Sequence, residues 1–539
     1  MVGQTTLELT DGSKLEVSRN NCGRHDTLLP HQSSIINNSA IIITMSLQLP
    51  WTPLYTQTGA SSSQSDSTLG YWSLVGTVAF TVLVYAFEKS LDARQKAAYQ
   101  KTSFPTELET TVSKIDAERE KEGKKPKDDD GDADDGGGDK KKEEKESKSL
   151  LEQLKDKFKS SQSYGLDKIN FGMIASTYDT FESVAFLLLG AFPYLWDKSV
   201  ALGLSKFGWS QSEDEIKISL IFLGLITIVG TITALPFEIY STFQIEKKHG
   251  FNKQTYGLFF TDKIKSLILT SLIGGPFLAL LLKIIKAGGD YFYIYVWGFM
   301  FVFSVFMMTI VPVVIMPMFN KYEPLPEGGL KKSIYKLADR LQYPLKKLFV
   351  MDGSKRSSHS NAFMFGFGSN KRIVLFDTLM EQVNPPEILA ILGHELGHWK
   401  LGHTLTNFFV TQVYFGAAFY FFSLCYTSRD LYSAFGFDDP TNPPPTVIGL
   451  MLFFQTLWAP VDKVLSFVLT IFSRHCEFAA DEFSVDLGYS AELQSGLCKI
   501  HLENLGAMNP DPWYSTYHYS HPPLVERLSA MMALDKKKK

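Results

Sequence analysis

The segment His394-Glu395-Leu396-Gly397-His398 places two imidazoles and a carboxylate within five residues. On a helix turning about 100° per residue, His394 and His398 lie one turn apart on one face. Two imidazoles so placed can share one metal ion, and Glu395 beside the first can reach the water that such an ion holds. This is the spacing of a zinc hydrolase. The flanks support a helix. Pro385-Pro386 suits a helix start, Glu387 falls in the first turn, and apolar Ile388, Leu389, Ile391 and Leu392 lead into the motif. Without a further ligand, the same pair would be two helical histidines at a membrane surface.

A catalytic zinc wants three protein ligands and one open position. His403 is nearest, but on a continuous helix it points about 140° away from His398, which leaves it exposed or beside a ligand. The better candidate is Glu477 in Arg474-His475-Cys476-Glu477-Phe478-Ala479-Ala480-Asp481. Asp481 lies one turn on, placed to accept a ring N–H from a histidine ligand and fix its tautomer. Acidic pairs at this spacing also occur on solvated faces. His475 is a rival ligand on a different face, and Cys476 reads as a packed thiol.

The elements that must position these groups are largely membrane helices. About 20 apolar residues of helix cross a bilayer core about 30 Å thick. Ser67–Phe87, Ile218–Phe237, Ser266–Leu282, Tyr291–Asn320 and Thr404–Ser428 meet or approach this without a charge. Ile174–Trp196 carries Asp179 and Glu182, and Thr446–Ser473 carries Asp462 and Lys463. These four groups mark either a polar cavity inside the bundle or span ends drawn too wide. Seven spans result, in an all-α dominated membrane protein. Lys247, Lys248, Lys253, Lys263, Lys265 and Lys321 put the loops after spans one, three, five and seven in the cytosol, against Lys283 and Lys286. Glu477 and His394 then share one membrane side.

The 539 residues segregate charge from apolar character. Residues 121–150 hold 20 charged groups and Tyr291–Asn320 none, although mean hydropathy is −0.02. A 45% hydrophobic content excludes a wholly disordered chain, and a net charge of −4 gives no electrostatic case for nucleic-acid binding. Cys22, Cys425, Cys476 and Cys498 have no paired spacing. Residues 1–66 read as a disordered N-terminal extension without a signal peptide, carrying a sequon at Asn37-Asn38-Ser39 and an alternative start at Met45. Residues 67–100 hold the first span, 101–165 read as a charged disordered linker, and 166–320 hold spans two to five. Residues 321–403 read as an α+β cytosolic lobe, with a helix near Gly328–Leu341 and strands at Lys347–Met351 and Lys371–Phe376, ending in the motif helix. Residues 404–473 hold the last two spans, and 474–539 a helical segment with a lysine tail. Lys536 and Lys537, fourth and third from the end, match an endoplasmic-reticulum retrieval address or a solvated tail.

His-Glu-Leu-Gly-His followed distally by Glu-Phe-x-Ala-Asp resembles the type I CAAX prenyl proteases, the Ste-twenty-four kind. The likeness extends through Glu246–Asn252, Pro324–Gly328, Gly353–Ala362 and Ser520–Arg527. It implies seven helices around a water-filled chamber, with zinc on His394, His398 and Glu477 and the catalytic carboxylate on Glu395. It further implies active-site polar roles for Asn361, His521 and Arg527. The implied substrates are prenylated Cys-a-a-X peptides, met in the lipid bilayer, that lose their last three residues. The same site would serve an HtpX-like quality-control protease. A seven-span transporter or receptor with an incidental motif would bind no zinc.

Overall fold

The computed structural model describes residues 66–121, 148–366, 368–437 and 443–538, together with two short strands near the N-terminus. Contacts divide the chain into two units, residues 1–52 and 53–539. In the first, Leu7–Glu8 pairs antiparallel with Lys14–Leu15. The sequon, Met45 and the rest of the extension up to residue 65 lie outside the described residues, as does the linker's centre, 122–147.

Five helices of the second unit are long and apolar enough to span a membrane: Trp72–Tyr99, Glu215–Glu246, Tyr256–Ala287, Gly289–Phe319 and His403–Cys425. Two further spans are bent pairs. Leu150–Leu188 meets Ala191–Phe207 at 65°, and Thr446–Leu457 meets Ala459–Asp486 at 59°. These are the two stretches that carry ionisable residues. At the first bend Gly190 is left-handed, with φ 65°, a conformation that glycine adopts without a Cβ clash. At the second, Pro460 sits at the new helix start, where its missing N–H costs nothing.

Asp462 and Lys463 are exposed and line a half-open pocket of about 400 Å³ with Tyr85, Glu88, Tyr414 and Trp458. There Tyr414 donates to Asp462 at 3.0 Å, and Lys463 pairs with Glu88 at 2.8 Å. Asp179 and Glu182 do not line this pocket, although Thr180 between them does.

The linker reading is corrected at both ends. Thr106–Lys121 is a helix, and the helix that becomes span two starts at Leu150, inside the segment taken as disordered. The reason is apolar spacing under a charged surface. Leu108, Val112 and Ile115 recur on one face, as do Leu150, Leu154 and Phe158, and all six are buried. Asp116 closes the base by accepting from the N–H groups of Leu150 and Leu151 at 3.2 and 3.0 Å. Ser149 and Glu152 add a reciprocal capping box. At 39 residues this helix is about 58 Å long, so its first half lies in the soluble lobe and its second in the bundle.

The soluble lobe has one continuous core. It joins the linker helix, a four-stranded sheet, the motif helix and the C-terminal helices through Leu108, Leu154, Ile334, Ile373, Leu392 and Leu528. The sheet order is Tyr322–Pro324, Leu345–Met351, Lys371–Phe376, Ala362–Phe365. The central pair is parallel and the flanking pairs antiparallel. Ala362–Phe365 is therefore an edge strand.

Candidate active site

The motif helix, Pro385–Lys400, begins at Asn384. Its side chain accepts from the Glu387 N–H while Glu387 accepts from the Asn384 N–H. Glu387 is buried and also takes Lys499 and Ser495, at 2.8 and 2.6 Å, so the cap is locked into the lobe. The second element is the helix Ala459–Asp486. The two pack closely because Gly393 and Gly397 face it. A Cβ on Gly397 would lie 3.0 Å from the Phe483 ring, and one on Gly393 would lie 3.1 Å from Ser484 Oγ. Ser484 itself donates to the Ala390 carbonyl at 3.0 Å.

This approach brings three groups together. His394 Nε2 and His398 Nε2 are 3.2 Å apart. Glu477 Oε2 lies 3.5 Å from His394 Nε2, and Oε1 lies 3.3 Å from His398 Nε2. All three donor atoms fall within 4.8 Å of one another. Glu477 is buried, and its Oε2 also lies 2.8 Å from His521 Nδ1 and 3.6 Å from Arg527 Nη1. A buried carboxylate so placed beside two imidazoles fits a divalent cation.

The surrounding groups set the imidazole tautomers. His394 Nδ1 is 2.9 Å from Asp481 Oδ1 and 3.4 Å from Arg527 Nη2, and a proton kept on the carboxylate side leaves Nε2 to face the cluster. Asp481 is held by Arg527 through Nε at 2.8 Å and Nη2 at 2.6 Å. Burial alone would lower the His394 pKa, but its bonds to Asp481 and Glu477 raise it to about 9. His398 Nδ1 is 2.9 Å from His403 Nδ1. If His398 donates there, its Nε2 is free like that of His394. Burial pushes the Glu395 carboxyl up, opposed by the neighbouring His394 and His398.

A family model described as the CAAX prenyl protease N-terminal domain, with five membrane helices, matches residues 141–321, and one for peptidase family M48 matches 324–535. A CAAX prenyl protease 1 homolog of Oryza sativa is 44% identical over 86% of this chain and 98% of its own. The Homo sapiens homolog is 43% identical over 71% of this chain and 88% of its own. A crystal structure of S. mikatae Ste24p superposes with a TM-score of 0.73 at 37% identity, covering 85% of this chain and 99% of that one. The chain belongs to peptidase family M48, among its CAAX prenyl proteases. It is a multi-pass membrane metalloprotease.

In this M48 protease the sequence-derived site residues fall into two groups. His394, Glu395, His398, Glu477, Asp481, His521 and Arg527 form one cluster. Arg527 is buried on the helix Leu524–Lys538, and His521 stands largely exposed in the Ser520–Pro523 turn. Asn361 is in none of the cluster's hydrogen bonds. Its side-chain oxygen accepts from the Ala362 N–H at 2.8 Å, and its carbonyl accepts from Phe376 at 3.1 Å. It stands at the head of the edge strand.

His403 reaches His398 because the helix does not continue: Leu401 caps it and Gly402 turns left-handed at φ 74°. A glycine before His403 was the available signal. Gly393 and Gly397 were not read from the sequence as packing residues. Their signal was the four-residue spacing of two glycines on a helix, which permits close helix approach.

Proposed function

We propose that this enzyme is a zinc-dependent endopeptidase that removes the last three residues of prenylated Cys-a-a-X proteins. The observation that carries the reading is the convergence of two imidazoles and the buried Glu477 carboxylate beside Glu395. His394, His398 and Glu477 would hold the zinc. When bound there, zinc supplies Lewis acidity, lowering the pKa of water toward about 7 and polarising a carbonyl.

The remaining work falls to side chains. Glu395, its pKa raised by burial, is placed to take a proton and return it to the leaving amine. Asp481 holds the His394 tautomer, and Arg527 holds Asp481. His521 or Arg527 donates a hydrogen bond where the scissile carbonyl gains negative charge, an effect typically worth about 3–4 kcal/mol.

The edge strand offers a place for the substrate backbone. Asn361 pairs with Phe376 in an antiparallel ladder, so Asn361, Phe363 and Phe365 turn their backbone groups inward. Ala362 and Met364 turn theirs to the open edge, where an extended peptide can add as a further strand. The Asn361 side chain, now on the Ala362 N–H, is placed to exchange that bond for one to substrate.

We further place the enzyme in the endoplasmic reticulum membrane, continuous with the nuclear envelope, with a cytosolic C-terminus. The lysine bias of the loops supports this orientation. Prenylated tails partition into the same bilayer, which concentrates substrate where the active site lies.

Detergent-purified enzyme assayed on a farnesylated Cys-a-a-X peptide tests the reaction. Wild type should hold about one zinc per chain and release the terminal tripeptide. Glu395→Gln should keep the metal and lose about 10²–10⁴-fold in rate. Undiminished cleavage by Glu395→Gln, or an active preparation free of zinc, would overturn the assignment.

A further inference from the structure

The edge strand is approached through a loop, Gly353–Ser360, that nothing in the cluster holds. Ser354 N–H anchors one end on Asp377 at 2.9 Å and His359 the other on Asn504 at 2.9 Å, while Arg356 ties the loop to the membrane helices. Its guanidinium grips Asp262 with both arms, Nε to Oδ2 at 2.9 Å and Nη2 to Oδ1 at 3.1 Å. Its third nitrogen donates to Asn320 Oδ1. Asp262 belongs to the span Tyr256–Ala287, and Asn320 immediately follows the span Gly289–Phe319. One soluble-lobe side chain is thus fastened to two membrane helices. Arg356 and Asp262 are both more than four-fifths buried, so the pair is shielded and its two-pronged geometry carries directional information.

From Arg356 to Asn361 the loop has little slack. The Arg356 carbonyl accepts from Lys253, and Ser358 N–H donates to the Phe251 carbonyl, both at 3.1 Å. Ser357 bridges Asn252 between them. Gln382 donates to the Ser358 carbonyl at 2.8 Å, and Thr378 to the His359 carbonyl at 3.1 Å. The Asn361 carbonyl then enters the sheet. A shift of Arg356 is therefore passed along a hydrogen-bonded ribbon to the first residue of the edge strand.

We infer that Arg356, clamped by Asp262 and Asn320, is a positioning residue: it sets the edge strand Ala362–Phe365 against the membrane helices so that a substrate peptide pairs in register with the catalytic cluster. This rests on the proposed reading of that strand as the substrate's partner. Arg356 touches no cluster residue, so its loss should leave metal binding alone and act on peptide binding. Lysine would keep the charge but lose the fork.

The test compares full-length wild type with Arg356→Lys, Arg356→Asp, Asp262→Arg and the exchanged pair Arg356→Asp/Asp262→Arg, using a farnesylated Cys-a-a-X peptide. Arg356→Lys should raise KM about tenfold with kcat within about twofold and zinc content unchanged, the signature of lost substrate positioning. The exchanged pair should recover at least a third of the activity lost in the worse single variant. A wild-type KM in Arg356→Lys overturns the inference, as does an exchanged pair no better than either single change. If the charge-reversal variants fail to fold, Arg356→Lys alone decides. Met364→Pro separates the two claims, because it removes an edge-facing N–H that the sheet does not use. Full activity in Met364→Pro removes the strand reading itself. Loss of activity there beside an unaffected Arg356→Lys removes only the clamp.

Discussion

At the scale of single residues, the site is built so that each ligand atom is aimed by a neighbour. His394 Nε2 faces the cluster because Nδ1 is committed to Asp481, and Asp481 is kept in place by Arg527. Asp481→Asn replaces the charged acceptor and weakens the Arg527 fork. We expect zinc affinity to fall about 10–100-fold, measured by competition with a chromogenic chelator. His403→Ala should do the same to His398 to a smaller extent, since His403 supports one ring from the far side. A second residue-scale prediction concerns His501, which lies in the soluble lobe. Burial lowers its pKa to about 4, against a weaker opposing effect from the carbonyl side of Ala507 and Gly506. The unfolded chain, with a histidine pKa near 6.5, binds the proton more readily. The stabilisation is therefore complete above pH about 6.5 and lost as pH falls toward 4, a change of about 3 kcal/mol. Thermal unfolding in detergent between pH 7 and 4 should show this loss, and His501→Gln should flatten it.

Elements meet at glycine. The motif helix and the Glu477 helix come close enough to bring Glu477 to the two imidazoles because Gly397 leaves room for Phe483. Gly397→Ala forces a shift in a packed interface, at a cost of about 1–3 kcal/mol, and should lower zinc occupancy. Gly397→Ala with Phe483→Leu should regain part of that occupancy, measured by metal content after gel filtration. The same scale explains the linker helix. Its charge hides a stripe of Leu108, Val112 and Ile115 that packs into the lobe. Val112→Asp should cost about 3 kcal/mol or more by burying an unpaired charge, read as a lower melting temperature. Ser113→Asp, one residue on and exposed, should leave it unchanged.

In the whole molecule, two cores share one long helix. The Leu150–Leu188 helix contributes Leu154 and Phe158 to the soluble core, and Phe186 packs against the bundle core of Trp196, Phe222, Tyr432 and Val447. Glu215 ties the bundle together by accepting from the Thr446 N–H at 2.8 Å and from Lys286. That pairing explains a lysine that counts against the charge-based orientation: Lys286 ends a span beside a buried carboxylate. The proposed orientation puts the segment between Cys425 and Thr446 in the lumen and the segment between Phe319 and His403 in the cytosol. A glycosylation sequon introduced into the first should be modified in microsomes, and one in the second should not.

What the sequence decides alone is what short-range geometry decides. A four-residue histidine spacing sets two rings on one helical face whatever surrounds it, and uninterrupted apolar runs must become helices in lipid because no water is there to satisfy the backbone. The Pro-Pro start, the two central strands and the five clean spans were legible for that reason. Tertiary structure decided the rest. Glu477 is separated from His398 by two spans, and only the packing of two helices across Gly393 and Gly397 brings its carboxylate to both rings. His403 turned back to His398 because Gly402 broke the helix that sequence spacing assumes to be continuous. The charged linker hid two amphipathic faces, because its average charge describes the solvent side and says nothing of the buried stripe. Burial and convergence depend on long-range contacts, which residue spacing along the chain does not encode.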